Sequence, residues 1–75
     1  MTIEKVNEYY ETGVLTDLMN SGFLSPKILM YRQIYLWVDL QQKTRNINKT
    51  KAALEAEIQF KLSKYTIWLA LRTFK

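Results

Sequence analysis

The chain contains no cysteine and no histidine. Without cysteine there is no disulfide to staple a small fold and no thiolate to hold a metal. Without histidine the usual mixed nitrogen–sulfur zinc sites are excluded as well. Most acid–base and nucleophilic chemistry near neutral pH relies on imidazole or thiolate. The carboxylates that remain are scattered beside lysines at helical surface positions, so the chain reads as a non-enzyme. No metal, cofactor or small-molecule substrate is implied. Uncharged apolar runs are too short to span a bilayer. Met1-Thr2-Ile3-Glu4-Lys5 lacks the basic-then-apolar order of a secretion signal. These absences together read as a cytoplasmic protein with no membrane partner.

Proline occurs once, at 26, and glycine twice, at 13 and 22. No strict apolar–polar alternation persists, and no Asn-Gly or Asp-Gly hairpin dipeptide occurs, so strands are not expected. Apolar residues make up 48% of the chain, too many for a disordered tail. The expected fold is all-α, a compact bundle of about five helices forming one domain over residues 1–75.

The few breakers and caps locate the helix ends. Thr2 is a good N-cap, and Ile3, Val6 and Tyr10 recur at helical spacing until Gly13 interrupts them. A short second helix follows, with Val14, Leu15, Leu18 and Met19 directed inward. It stops at Asn20-Ser21-Gly22, where glycine suits the left-handed position. Ser25-Pro26 is the clearest start signal, a capping hydroxyl followed by a residue whose missing amide has no helical partner to lose. That third helix is expected to run from Pro26 to about Lys43. Asn48 is placed to cap a fourth helix over Lys49 to Phe60, with Ala52, Ala53, Ala56 and Phe60 on one face. Ser63 precedes a fifth helix ending near Phe74, with Ile67, Ala70, Leu71 and Phe74 as its buried stripe.

The third helix is apolar almost all round, from Ile28 through Leu40. A 75-residue chain has few other elements to cover such a helix. A homo-oligomer, at least a dimer, is therefore expected. Tyr9, Tyr10, Tyr31 and Tyr35 read as core or interface residues. Trp37 and Trp68 read as packing or dimer anchors rather than ligand stackers.

Charge is divided unevenly. Residues 1–25 carry Lys5 against Glu4, Glu8, Glu11 and Asp17, a balance of −3, while residues 26–75 carry ten basic and three acidic residues, a balance of +7. The second half is suited to an anionic partner, although a surplus of lysines also serves solubility alone.

Within that basic half, Phe60-Lys61-Leu62-Ser63-Lys64-Tyr65-Thr66-Ile67 has an ordered series of tasks. Phe60 closes one helix on the core, Leu62 anchors a turn, Ser63 caps the next helix, and Ile67 with Leu71 holds that helix across the first. Residues 49–75 resemble the helix-turn-helix of small bacterial and phage DNA-binding proteins. Lys61 stands where that family often has glycine, because the turn favours a positive φ, and Glu57 stands where it often has alanine. The resemblance implies that the second helix enters the major groove of double-stranded DNA. Ser63, Lys64, Tyr65, Thr66, Trp68 and Arg72 would then face the duplex, and Lys49, Thr50 and Lys51 would hold its backbone. It also implies a transcriptional regulator or a mobile-element accessory protein. Two other readings stay open. The basic helices could bind an acidic protein as an adaptor, or the acidic N-terminal helices could occupy and inhibit another regulator.

Overall fold

The structure is a computed structural model and describes residues 2–74. Five helices and no strand are present among them: α1 (Ile3–Thr12), α2 (Val14–Asn20), α3 (Lys27–Arg45), α4 (Lys49–Phe60) and α5 (Lys64–Thr73). Each begins or ends at the chemistry that favours that boundary. The Thr2 hydroxyl accepts a hydrogen bond from the Lys5 amide at 3.3 Å, satisfying one otherwise orphaned N–H of α1. Gly13 adopts φ 82°, ending α1 and starting α2 within one residue. The space around Gly13 is open, so its backbone conformation and not crowding makes glycine the fitting residue there. Ser25 Oγ accepts from the Lys27 amide at 3.2 Å, and Pro26, at φ −56°, takes the cap position, so α3 starts at Lys27, one residue after the expected Pro26.

α3 continues two residues beyond the expected end at Lys43. Arg45 extends it by bonding to Gln41 one turn back and by forming an ion pair with Glu55 of α4, after which Asn46 stops the helix at φ 53°. The Arg45 hydrogen bond holds the Glu55 carboxyl below its ordinary pKa range. A depressed carboxyl pKa stabilises the fold above the ordinary value, and that support is lost as pH falls through the lowered one.

The core has two clusters. The larger joins Ile34 and Val38 of α3, Ala52, Ala53 and Ala56 of α4, and Ile67, Ala70 and Leu71 of α5. Alanines on α4 allow close approach of its neighbours, and Trp37 meets Phe60 edge-on at 5.8 Å beside them. The smaller cluster joins Val6, Leu15, Ile28 and Phe74. Tyr31 and Tyr35 of α3 pack against both clusters and link them. No polar or charged residue is buried among the described residues, so apolar burial holds these helices together. Each fully buried Leu, Ile or Val contributes about 1.5–3 kcal/mol.

The α1–α2 hairpin attaches to α3 through more than apolar contact. Arg32 Nε donates to Asn7 Oδ1 at 2.8 Å, and its guanidinium lies 4.2 Å from the centre of the Tyr10 ring. Two sequence expectations change in this region. Of the four α2 residues expected inward, only Leu15 is buried; Val14, next to the Gly13 stop, remains 39% exposed. Phe74 is buried as expected but lies just past α5, in extended conformation.

The apolar girdle of α3 resolves into two sides. Ile28, Ile34 and Val38 are buried, and Met30, Tyr31, Tyr35 and Trp37 pack on the clusters. Leu36 and Leu40 belong to neither cluster and lie on the outer side. No described helix is long and apolar enough to cross a membrane.

Candidate nucleic-acid interface

α4 and α5 are joined through Lys61, Leu62 and Ser63. Lys61 adopts φ 55° and ψ 45°, a left-handed conformation that ends α4, and both its amide and that of Leu62 turn back to the Glu57 carbonyl. The positive φ implied for this position is present without glycine. The Leu62 side chain packs on the larger cluster and fixes the turn from inside. Ser63 then caps α5: its Oγ accepts from the Thr66 amide at 3.3 Å, and the two side-chain oxygens are 3.1 Å apart. Loss of this cap through Ser63→Ala is expected to destabilise the protein by about 1 kcal/mol, read as a lower urea midpoint at unchanged slope.

The inward stripe of α5 is Ile67, Ala70 and Leu71, as the spacing implies. Its outward side follows from the same period of about 100° per residue. Lys64, Tyr65 and Arg72 are exposed, with Tyr65 at 70%, while Trp68 and Leu69 are half-buried along the flanks. Thr66 is also half-buried, and its hydroxyl is engaged with Ser63. Thr66 and Ser63 therefore serve the cap, and the exposed side chains that follow the cap on this helix are Lys64, Tyr65 and Arg72.

The start of α4 lies beside the middle of α5. The Lys49 ammonium is 5.9 Å from the centre of the Trp68 ring, and Arg72 Nε donates to the Trp68 carbonyl at 3.4 Å. Trp68 thus carries a cation on its face while its body packs against the core. Thr50 and Lys51 are exposed in the same first turn, about 100° and 200° round α4 from Lys49. The Lys51 amide donates to the capping Asn48 Oδ1 at 2.8 Å and is not open to a phosphate. The lysine side chain remains available.

Three ion pairs are present among the described residues: Lys5–Glu8, Lys43–Asp39 and Arg45–Glu55. Lys49, Lys51, Lys61, Lys64 and Arg72 take part in none of them. Glu55, one of the two carboxylates of α4, is engaged by Arg45. The α4–turn–α5 unit therefore presents five cations outside these ion pairs. Lys61 is a member that the contact set inferred from the sequence omitted; its place at the turn, between Glu57 and Ser63, was the available clue.

Beside Lys49 is a cleft of about 70 Å³ lined by Tyr35, Val38, Asp39, Gln42, Lys49 and Leu71. It is well below the roughly 300 Å³ at which small-molecule pockets begin. No group of three or more metal-ligating side chains occurs among the described residues. Comparison with protein-family models, curated proteins and solved structures finds no match to the chain.

Proposed function

We propose that the protein binds double-stranded DNA through α4, the turn and α5, as a transcriptional regulator or a mobile-element accessory protein. The observation that carries this reading is the set of five cations on one helix–turn–helix unit, none in an ion pair among the described residues. The left-handed turn residue and the serine cap support it, because they fix where α5 starts and which residues it turns outward. In this reading Lys64 and Arg72 meet phosphates or guanine acceptors, and Tyr65 packs on sugar and donates its hydroxyl to a phosphate. Lys49, Thr50 and Lys51 approach the backbone from the adjoining helix. Ser63 and Thr66 act by positioning α5, and Trp68 by holding Lys49 in place.

Lys64→Ala combined with Arg72→Ala is the localising test. Both side chains are exposed, so the variant folds as wild type does. If each side chain neutralises one phosphate, the slope of log K against log salt becomes shallower by about 1.8, at roughly 0.9 per phosphate. Fluorescence anisotropy with a labelled duplex reads both affinity and slope. A double variant that binds like wild type across the salt series rules out α5 as the contacting helix.

A second reading has its own observation. Leu54 and Ile58 on α4 are 54% and 80% exposed, and Tyr65 is a bulky exposed aromatic on α5. Apolar side chains framed by lysines also suit an acidic, amphipathic protein segment. An adaptor of this kind would bind an acidic helical peptide and leave duplex DNA unbound.

A further inference from the structure

We infer that Lys43 and Arg45, in the last turn of α3, are positioning residues: by holding the carboxylates of Asp39 and Glu55 they keep Lys49 and Lys51 of α4 free of internal partners. The consequence for duplex affinity rests on the DNA-binding reading; the charge arrangement does not. Lys43 Nζ lies 2.9 Å from Asp39 Oδ2. Asp39 also lines the cleft beside the start of α4, and Lys49 lines the same cleft. Lys49 is thus the next cation to hand for Asp39, yet its ammonium lies over the Trp68 ring, 5.9 Å from the ring centre. Arg45 makes the corresponding contact with Glu55. Glu55 stands four residues after Lys51, the spacing at which a helical lysine and glutamate meet. The Arg45 hydrogen bond lowers the Glu55 carboxyl pKa most, and the charge of Lys51 lowers it further, so both cations are within electrostatic reach. Neither Lys49 nor Lys51 joins an ion pair among the described residues.

Helix geometry decides which cation each carboxylate takes. Asp39 precedes Lys43 by four residues, and acid before base is the favoured order on a helix. Lys51 precedes Glu55, the less favoured order, so the Lys51–Glu55 pair is the weaker one. Arg45 reaches Glu55 from the end of α3 with a rigid guanidinium and is steadied by Gln41 one turn back. It is therefore the stronger partner for Glu55. A lysine already bound to a carboxylate must break that contact before it can neutralise a phosphate. An unpaired lysine has no such contact to break. Exposed ion pairs are weak, so the advantage is up to about five-fold in affinity for each lysine. Lys43 and Arg45 supply it without touching the duplex.

The free protein is tested by NMR, without DNA. In wild type the terminal methylene protons of Lys49 should be shifted upfield by the Trp68 ring beneath them. In Lys43→Gln, Lys49 should turn to Asp39 and lose most of that shift, and adding Asp39→Asn should restore it. A shift unchanged in Lys43→Gln overturns the inference for this pair. So does a loss that persists with Asp39→Asn, which would give Lys43 only a structural role at the helix end. For the second pair, the Glu55 carboxyl of Arg45→Gln should still titrate below its ordinary range, because Lys51 takes the vacated place. It should return to that range when Lys51→Gln is added. A full return in Arg45→Gln alone overturns that half. Duplex binding is measured last. Lys43→Gln with Arg45→Gln should weaken it, by up to about five-fold for each pair, and Asp39→Asn with Glu55→Gln should recover it. Unchanged affinity in the first variant would mean that the two lysines need no freeing and would overturn their assigned role. Wild-type protein that binds no duplex would instead defeat the DNA-binding reading, while the NMR shifts would still decide the charge arrangement.

Discussion

Ile67→Asp is expected to abolish the folded state. Ile67 is fully buried at the centre of the inward stripe of α5, packed with residues of α3 and α4 in the larger cluster. The substitution removes about 1.5–3 kcal/mol of apolar burial. It also places a carboxyl where, among the described residues, no buried polar or charged residue is available to partner it. An unpaired buried charge costs several kcal/mol more, or forces protonation at a similar cost. Small domains hold about 5–15 kcal/mol in total, and one with neither disulfide nor metal lies toward the low end. Circular dichroism should show loss of the helical signal and no cooperative melt. A variant that melts cooperatively near the wild-type temperature would remove Ile67 from the core and α5 from its assigned orientation.

Phe74→Ala is expected to cost about 3–5 kcal/mol, the usual range for truncating a buried aromatic. Phe74 is 4% exposed and meets Tyr35 edge-on at 5.5 Å. It lies just past α5 in sequence, yet it sits in the smaller cluster with Val6 of α1 and Leu15 of α2. It therefore joins the α1–α2 hairpin to the other three helices. The loss should not be uniform. Amide exchange should quicken most in α1 and α2, whose remaining ties include the Arg32–Asn7 hydrogen bond. Equal quickening throughout would mean that the two clusters melt as one unit.

Helix starts were legible because each depends on a local side chain. Thr2, Asn48 and Ser63 accept amide hydrogen bonds three residues ahead, and Ser25 does so two residues ahead, as short polar side chains before a helical stripe should. The end of α3 was less legible. Its last residue, Arg45, is held partly by Glu55, ten positions away in sequence, and no short window around Lys43 contains that partner. Val14 misled for a related reason: its spacing suits an inward face, but of that short helix only Leu15 is buried, with Met19 packed at the edge of the cluster. The division of α3 into inner and outer sides required knowing that Tyr31 and Tyr35 bridge two clusters.

For the candidate interface, local chemistry again carried furthest. The cap at Ser63 was implied by neighbouring residues, and the left-handed turn at Lys61 by the helix-turn-helix resemblance. The placement of Lys49 over Trp68 is a contact between helices and has no signature in spacing. The engagement of Thr66 with Ser63 could have been suspected from their separation of three, which is the reach of a capping side chain.

The most direct measurement of the central proposal is a salt titration of the wild-type protein with a labelled DNA duplex. Phosphate contact releases bound counterions, so the affinity should fall linearly on logarithmic axes, with a slope near −0.9 for each phosphate neutralised. If the five cations of the α4–turn–α5 unit all contribute, the slope should approach about −4.5, and contact by Lys64 and Arg72 alone would give about −1.8. The same titration with an acidic amphipathic peptide serves as the comparison. The account predicts a retained duplex whose affinity follows that line. No duplex binding at low salt, with tight binding of the peptide, would contradict it and leave the basic face as a surface for an acidic protein.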